Sequence, residues 1–199
     1  MAHIDYYFAT NSTYTYLAGK RLEDIAENRG ATITYKPLDV VALFKRSGGV
    51  DPAEWHPSRL EYRKQEFARL PQKLGLPFNA QPAYGSANPA PSAYAIIAAQ
   101  AAGGGDVGAL AHSFCRAMQA EDKDISDDSV IRDCLDRAGF DPNLADSGLL
   151  LGAETYATNL DDAVAAGAIG APFYITDTDQ RFWGQDRLED LDLYLSQHQ

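Results

Sequence analysis

Strand-like segments occur only near the two ends of this chain, and the long middle part has a helical pattern. Short runs of aromatic and β-branched residues predict strands at residues 4–8, 31–38, 173–176 and 181–183. Residues 40–166 contain no convincing strand pattern. The sheet must therefore be assembled from the two ends of the chain, with a helical block between them.

A helix is predicted between the first two strands. Apolar residues recur at helical spacing over residues 14–29, and Gly30 follows as a typical helix end. A strand, a helix and a second strand in this order imply a parallel pair with a right-handed crossover. At the other end of the chain, a turn at residues 177–180 joins the last two strands, and a final helix is predicted over residues 185–196.

The middle block is predicted to contain five helical stretches and a proline-rich loop at residues 77–91. Asp128 is a predicted N-cap, and Gly139 is the predicted end of the same helix. The helices are expected at residues 58–74, 92–102, 107–119, 129–138 and 144–166.

This order of elements predicts the α/β class, as a thioredoxin-like fold with a large inserted all-helical domain. The thioredoxin-like domain is expected to comprise residues 1–39 and 167–199, and the inserted helical domain residues 40–166.

Charge and composition narrow the classes of function. The chain carries 28 acidic against 17 basic residues, a net charge of −11, whereas nucleic-acid binders concentrate basic residues. We therefore expect no nucleic-acid partner, although a few local donors could still hold a small anion. No apolar run approaches the roughly 18 residues of a membrane span, so no membrane partner is expected. The chain enters its first strand without a signal-peptide pattern, which predicts a cytoplasmic protein.

The two cysteines, Cys115 and Cys134, lie in apolar helical patterns and are expected to be buried. Neither belongs to a Cys-x-x-Cys pair, so the usual dithiol motif is absent. His112 lies near Cys115 without further ligands, and no metal site is predicted.

Ser12 lies in the polar turn between the first strand and the first helix, where a thioredoxin-like enzyme holds its attacking cysteine. Backbone N–H groups and the helix dipole favour an anion there, and a hydroxyl can donate one more hydrogen bond to a thiolate. An ordinary N-cap serine is the alternative interpretation. Ser12 has no evident His and Asp partners, so a hydrolase triad is not predicted.

Two further segments are candidates for ligand binding. Pro172 precedes a strand, where thioredoxin-like folds have a cis-proline, and the backbone of Ala171 could then pair with a peptide-like ligand. Alternatively, the proline only marks a strand boundary. Gln185 and Asp186 begin the last helix, and N–H groups and a carboxylate at such a place suit an α-amino-acid group. Helix capping by Asp186 is the alternative.

These segments resemble those of 2-hydroxychromene-2-carboxylate isomerases over nearly the whole chain. The N-terminal part is Tyr7-Phe8, Ser12 and Tyr16-Leu17-Ala18, and the C-terminal part is Gly170-Ala171-Pro172-Phe173 with Phe182-Trp183-Gly184-Gln185-Asp186-Arg187-Leu188. The middle adds Lys36-Pro37, Phe44, Ser47-Gly48-Gly49, Tyr62 and Leu74-Gly75-Leu76-Pro77.

The resemblance implies a DsbA-like fold, similar also to kappa-class glutathione transferases, with glutathione as cofactor and a homodimer as the assembly. It implies that Ser12 hydrogen-bonds the glutathione sulfur and that Ala171, before cis-Pro172, pairs with the cysteinyl backbone. Gln185 and Asp186 match the residues that hold the γ-glutamyl end, and Arg59 falls near a lysine that contacts glutathione.

The activity implied is a cis–trans isomerisation of a small aromatic acid in aromatic-compound degradation. A double bond does not rotate at a useful rate, so a thiolate must add to the conjugated pyruvate, allow rotation and then be eliminated. Ser12 is expected to be the catalytic residue, as a donor to the sulfur.

The sequence departs from the family at Thr13, where proline is common, and at Gly49, where kappa enzymes have asparagine. The loop at residues 84–86 also lacks an expected Phe-Pro pair. Two alternatives therefore stay open: a kappa-like glutathione transferase that conjugates small electrophiles, and a non-catalytic thioredoxin-like module that binds peptides. A dithiol oxidoreductase would need a cysteine at position 12 or 15, where the chain has Ser12 and Thr15.

Overall fold

A four-stranded mixed sheet is built from both ends of the chain, as the sequence predicts. The computed structural model describes residues 2–198. The strands are β1 (His3–Phe8), β2 (Thr32–Pro37), β3 (Phe173–Thr176) and β4 (Arg181–Trp183), in the spatial order β2-β1-β3-β4. β1 and β2 are parallel, and the pairs β1–β3 and β3–β4 are antiparallel.

Ten α-helices surround this sheet within the described residues. They are α1 (Thr13–Ala18), α2 (Arg21–Arg29), α3 (Val40–Ser47), α4 (Pro57–Leu74), α5 (Ala90–Ala102), α6 (Val107–Glu121), α7 (Asp128–Arg137), α8 (Leu144–Ser147), α9 (Leu149–Ala165) and α10 (Leu188–Gln197). Short 3₁₀ helices at Pro52–Glu54 and Gln185–Arg187 complete the chain. No helix in residues 2–198 is both long and apolar enough to cross a membrane.

The register of the sheet brings three loops to one end of it. Tyr7, near the end of β1, lies opposite Phe173 at the start of β3, and Phe173 lies opposite Trp183 at the end of β4. The loop after β1, the loop before β3 and the segment after β4 therefore meet at the same end. These are the segments that contain Ser12, Pro172 and Gln185.

Side chains alternate along β1 and enter two separate apolar clusters. Tyr6 and Phe8 lie in the larger cluster, which also contains Ile96 of α5 and Phe114 of α6 from the helical block. Tyr7 lies on the opposite face of the sheet, in a smaller cluster. Both faces of the sheet are thus covered by helices.

Several predicted helix bounds are wrong, and glycine explains two of them. The helix predicted at residues 14–29 is interrupted at Gly19, whose φ of 60° ends α1 before α2 begins. The helix predicted at residues 144–166 is divided at Gly148, where a Cβ atom would collide with Ala98 of α5. Close packing of α5 on this segment therefore requires a glycine there.

Three further differences concern one additional helix and the starts of two others. α3 was not predicted as a separate helix, although Asp39 caps it by accepting hydrogen bonds from the N–H groups of Val41 and Ala42. The N-cap of α7 is Asp127 and not Asp128, which is the first helical residue. The final helix begins as 3₁₀ at Gln185 and becomes α-helical only at Leu188.

Candidate functional site

A cavity of about 730 Å³ opens at the end of the sheet where the three loops meet. Its walls come from α1, the end of α3 and the loop after it, residues 59–70 of α4, the loop before β3, the end of β4 and the segment after β4. Ala171, Gln185, Asp186 and Arg59 line it, so four of the predicted site residues share one cavity. A volume between about 300 and 1,000 Å³ is typical of small-molecule sites.

Ser12 is the N-cap of α1 and lies at the same end of the sheet, two residues before the cavity-lining Tyr14. Its Oγ accepts a hydrogen bond from the N–H of Thr15 at 3.3 Å. Its hydroxyl proton has no acceptor among residues 2–198. α1 has only six residues, so its dipole is small, and the hydroxyl is the more specific donor for an anion.

The peptide bond between Ala171 and Pro172 is cis, as predicted. The carbonyl of Pro172 accepts a hydrogen bond from the N–H of Gly184 at 2.9 Å, which ties this loop to the end of β4. The backbone N–H and C=O of Ala171 bond to no other described backbone group. They are free to pair with an extended ligand in the cavity.

Gln185 is buried, and its Oε1 accepts a hydrogen bond from the guanidinium of Arg21 at 2.6 Å. The same guanidinium donates to the carbonyls of Leu17 and Ala18. Arg21 thereby fixes the orientation of the amide, and the Nε2 group of Gln185 makes no bond to the described part of the chain. Asp186 beside it is exposed and paired with Arg187 at 3.1 Å.

Arg59 of α4 lines the same cavity, and the central carbon of its guanidinium lies 3.9 Å from the ring centre of Trp55. The side chain is exposed, and stacking on an indole ring restrains it without using its N–H donors. The position is therefore suitable for a carboxylate at the open end of the cavity.

Most of the side chains from α4 and α1 in the cavity wall were not predicted from the sequence. Tyr14 donates a hydrogen bond to Glu66 at 3.1 Å, and burial together with this carboxylate raises the pKa of Tyr14 to about 12. Glu66 is thus more than a solvated surface residue. Burial lowers the pKa of Arg63, which lines the same wall. The helical pattern of residues 58–74 predicted the helix, but only tertiary packing shows which side faces the cavity.

Gly49 also lines the cavity, at the position where kappa enzymes have asparagine. A Cβ atom there would lie 2.5 Å from Cδ1 and 3.1 Å from Cα of Phe44. An asparagine at this position would require the Phe44 ring to move and α3 to shift by a few tenths of an ångström.

The remaining candidates lie away from this cavity. Cys115 and Cys134 are buried free thiols, and burial raises the pKa of Cys115 to about 12. His112 stacks on Tyr16 with ring centres 5.8 Å apart. Residues 2–198 contain no group of three or more His, Cys, Asp or Glu side chains placed to hold a metal ion.

Comparison with known proteins identifies the family. Residues 3–196 match the family described as DSBA-like thioredoxin domain. The chain belongs to this family. A curated relative, the 2-hydroxychromene-2-carboxylate isomerase of Sphingobium xenophagum, is 27% identical over 195 residues, which are 96% of this chain and 97% of the relative. The resemblance found in the sequence is thereby confirmed.

Solved structures of similar proteins support the same fold. A 2-hydroxychromene-2-carboxylate isomerase structure superposes with a TM-score of 0.81 at 24% identity, covering 98% of this chain and 95% of the other. The cytosolic disulfide reductase DsbM of Pseudomonas aeruginosa, in its structure with GSH, gives a TM-score of 0.70 at 19% identity and 98% coverage of both chains. The predicted DsbA-like thioredoxin fold is confirmed.

Proposed function

We propose that this protein is a glutathione-dependent cis–trans isomerase of a small aromatic acid, similar to 2-hydroxychromene-2-carboxylate isomerase. The observation that carries the proposal is the set of unused hydrogen-bonding groups at one end of the sheet. They are the hydroxyl of Ser12, the backbone of Ala171 and the Nε2 of Gln185. The curated relative is named an isomerase, which supports the proposal that this chain is an enzyme.

Glutathione fits the groups that this chain presents. The backbone of Ala171 can pair with the cysteinyl residue, which directs the sulfur toward the end of β1 and Ser12. The Nε2 of Gln185 can donate to the γ-glutamyl carboxylate, and Asp186 can accept from the ammonium group. The guanidinium of Arg59 offers a positive charge to a carboxylate at the other end. A solved DsbM structure with GSH supports this cofactor on a related fold.

When bound, glutathione supplies a thiolate that adds reversibly to the conjugated double bond and so permits rotation. Ser12 donates a hydrogen bond to the sulfur and favours its anionic form. The aromatic walls of the cavity, which include Trp55 and Trp183, orient the substrate and exclude water. Tyr14 stays protonated throughout the neutral pH range, because its pKa is about 12, and its hydroxyl holds the carboxylate of Glu66 in place in the cavity wall.

The test is an absorbance assay of the equilibrium between 2-hydroxychromene-2-carboxylate and its open-chain pyruvate isomer. We expect turnover that requires reduced glutathione and is absent with S-methylglutathione, which lacks the thiol. Conjugation of a generic electrophile without isomerisation would support the kappa-like transferase instead. Peptide binding without either activity would support the non-catalytic module.

We further propose a cytoplasmic homodimer. Reduced glutathione is the main cytoplasmic thiol, and the buried, unpaired cysteines are compatible with that compartment. Analytical ultracentrifugation of the purified chain tests the assembly, since a monomer at all concentrations would contradict it.

A further inference from the structure

Arg63 places a guanidinium in the cavity wall without an anionic partner. Its Nε is buried and has no hydrogen-bond partner, and no ion pair within residues 2–198 includes it. A buried charged donor without an acceptor costs free energy, because its hydration is lost and not replaced. Such a group is stable at a ligand site when the ligand brings the missing acceptor.

Aromatic rings surround this guanidinium. Its central carbon lies 4.7 Å from the ring centre of Phe67 and 5.4 Å from that of Trp55. Tyr14, two residues after Ser12, lines the same part of the cavity. A planar cation held among aromatic rings suits a ligand that carries both a ring and a carboxylate.

The nearest acidic side chain in the cavity is already occupied. Glu66 accepts from the hydroxyl of Tyr14 at 3.1 Å with one oxygen and from Tyr62 at 3.2 Å with the other. It also lies 3.7 Å from Arg69. The carboxylate of Glu66 is therefore engaged by Tyr14, Tyr62 and Arg69, and the guanidinium of Arg63 remains available to bind a ligand.

We propose that Arg63 binds the carboxylate of the aromatic acid substrate and thereby determines the enzyme's specificity for acids. The proposal rests on the proposed function. The forked N–H groups of an arginine match the two oxygens of a carboxylate. Trp55 and Tyr14, which line the cavity with Arg63, supply rings for the aromatic part of the ligand. Arg59, which is exposed and one turn earlier on α4, is left for the carboxylate of glutathione.

The experiment compares a simple aromatic acid with its neutral amide in the full-length protein. Cinnamate and cinnamamide are titrated by calorimetry, each without glutathione, into the wild type, Arg63→Met, Arg63→Lys and the control Lys64→Met, a change at an exposed residue of α4. Glutathione is titrated separately into each protein and into Arg59→Met. Circular dichroism verifies that every variant is folded.

We expect Arg63→Met to weaken cinnamate binding by about ten- to a hundred-fold and to leave cinnamamide binding unchanged. Arg63→Lys should retain part of the preference for the acid, and Lys64→Met should retain all of it. Glutathione affinity should change less than two-fold in Arg63→Met and should fall in Arg59→Met.

Two results would overturn the role of Arg63. One is a wild type that binds acid and amide equally or binds neither; the other is an Arg63→Met protein that loses glutathione affinity and keeps cinnamate affinity. Absence of glutathione binding in the wild type would instead refute the proposed function. The comparison of acid with amide would then still decide the role of Arg63, because it uses no glutathione.

Discussion

Ser12 lies at the end of the sheet where thioredoxin-like enzymes carry their reactive sulfur. Its hydroxyl donates no hydrogen bond to residues 2–198. Its oxygen caps α1 through Thr15, so capping and donation to a ligand can coexist in one side chain. The two interpretations that the sequence left open are therefore compatible. The serine is positioned by its capping bond and is available to a sulfur that arrives with a ligand.

Replacing Ser12 with alanine should slow the isomerase and raise the pKa of the bound glutathione thiol. A hydrogen bond to a charged group contributes about 1.5–3 kcal/mol, so we expect turnover at neutral pH to fall by about ten- to a hundred-fold. The thiolate absorbance near 240 nm measures the pKa directly. Ser147→Ala, at an exposed serine of α8, is the control. Equal pKa values in Ser12→Ala and wild type would show that backbone groups alone stabilise the thiolate.

Gln185→Glu tests the γ-glutamyl contact without breaking the bond to Arg21. The new carboxylate can still accept from Arg21, but it cannot donate to a ligand and it repels a ligand carboxylate. We expect glutathione affinity to fall by at least about ten-fold while thermal stability stays the same. Calorimetry and thermal unfolding measure the two quantities. Gln180→Glu, at an exposed residue, controls for the added charge. Equal losses of glutathione affinity in the two variants would show that Gln185 does not contact glutathione.

At the scale of the elements, α2 contains a carboxylate that the mechanism does not use. The Oε1 of Glu23 accepts from the hydroxyl of Tyr35 at 2.8 Å, and its Oε2 is buried with no partner. Burial raises the pKa of Glu23 above its ordinary value. Because the folded protein holds the proton more tightly than the unfolded chain, the stability that Glu23 contributes is present at low pH. That contribution is lost as the pH rises through the raised pKa.

Glu23→Gln should therefore stabilise the protein at pH 7 to 8 and make its stability less dependent on pH above about 4.5. The amide keeps an oxygen for Tyr35 and carries no charge to desolvate, so a gain of about 1 kcal/mol is expected at neutral pH. Urea unfolding at pH 4.5, 6 and 8 measures it. Glu27→Gln on the same helix changes an exposed carboxylate and serves as the control. A greater loss of stability in Glu23→Gln at pH 8 than at pH 4.5 would contradict the argument.

The elements also show what sequence patterns can and cannot predict. β3 and β4 were predicted with their observed bounds, because short aromatic and β-branched runs between turn residues are a local signal. The close contact that requires a glycine at position 148 comes from α5, and the cavity wall on α4 depends on which helix side packs against α1. Such contacts join distant residues, so periodicity alone could not show that Arg63 and Glu66 line the site.

At the scale of the whole molecule, the chain has a DsbA-like fold and carries no cysteine at position 12 or 15, where a dithiol enzyme would have one. Thr15 stands where a second cysteine of the motif would be, and its Oγ1 is buried without a partner. Cys134 lies within the larger apolar cluster, and Cys115 is buried on α6. Neither can reach the cavity at the end of the sheet, so any reactive sulfur there must come from a ligand.

The native protein should accordingly be inert to thiol reagents. With the pKa of Cys115 at about 12 and that of Cys134 raised by burial, we expect no reaction with Ellman's reagent at pH 8. In urea both thiols should react, and the two thiols counted in the unfolded protein serve as the internal control. Fast reaction of one thiol in the folded protein would indicate a redox cysteine and contradict the description above.

The central claim is that this thioredoxin-like protein uses the thiol of glutathione in place of its own. Calorimetric titration of the wild type with reduced glutathione tests it most directly, and the S-methyl derivative tests whether the sulfur itself is recognised. We expect one site per chain that saturates below about 1 mM glutathione. The S-methyl derivative should bind more weakly, because it offers Ser12 no thiolate as a hydrogen-bond acceptor. A titration without detectable binding at millimolar glutathione would contradict the account.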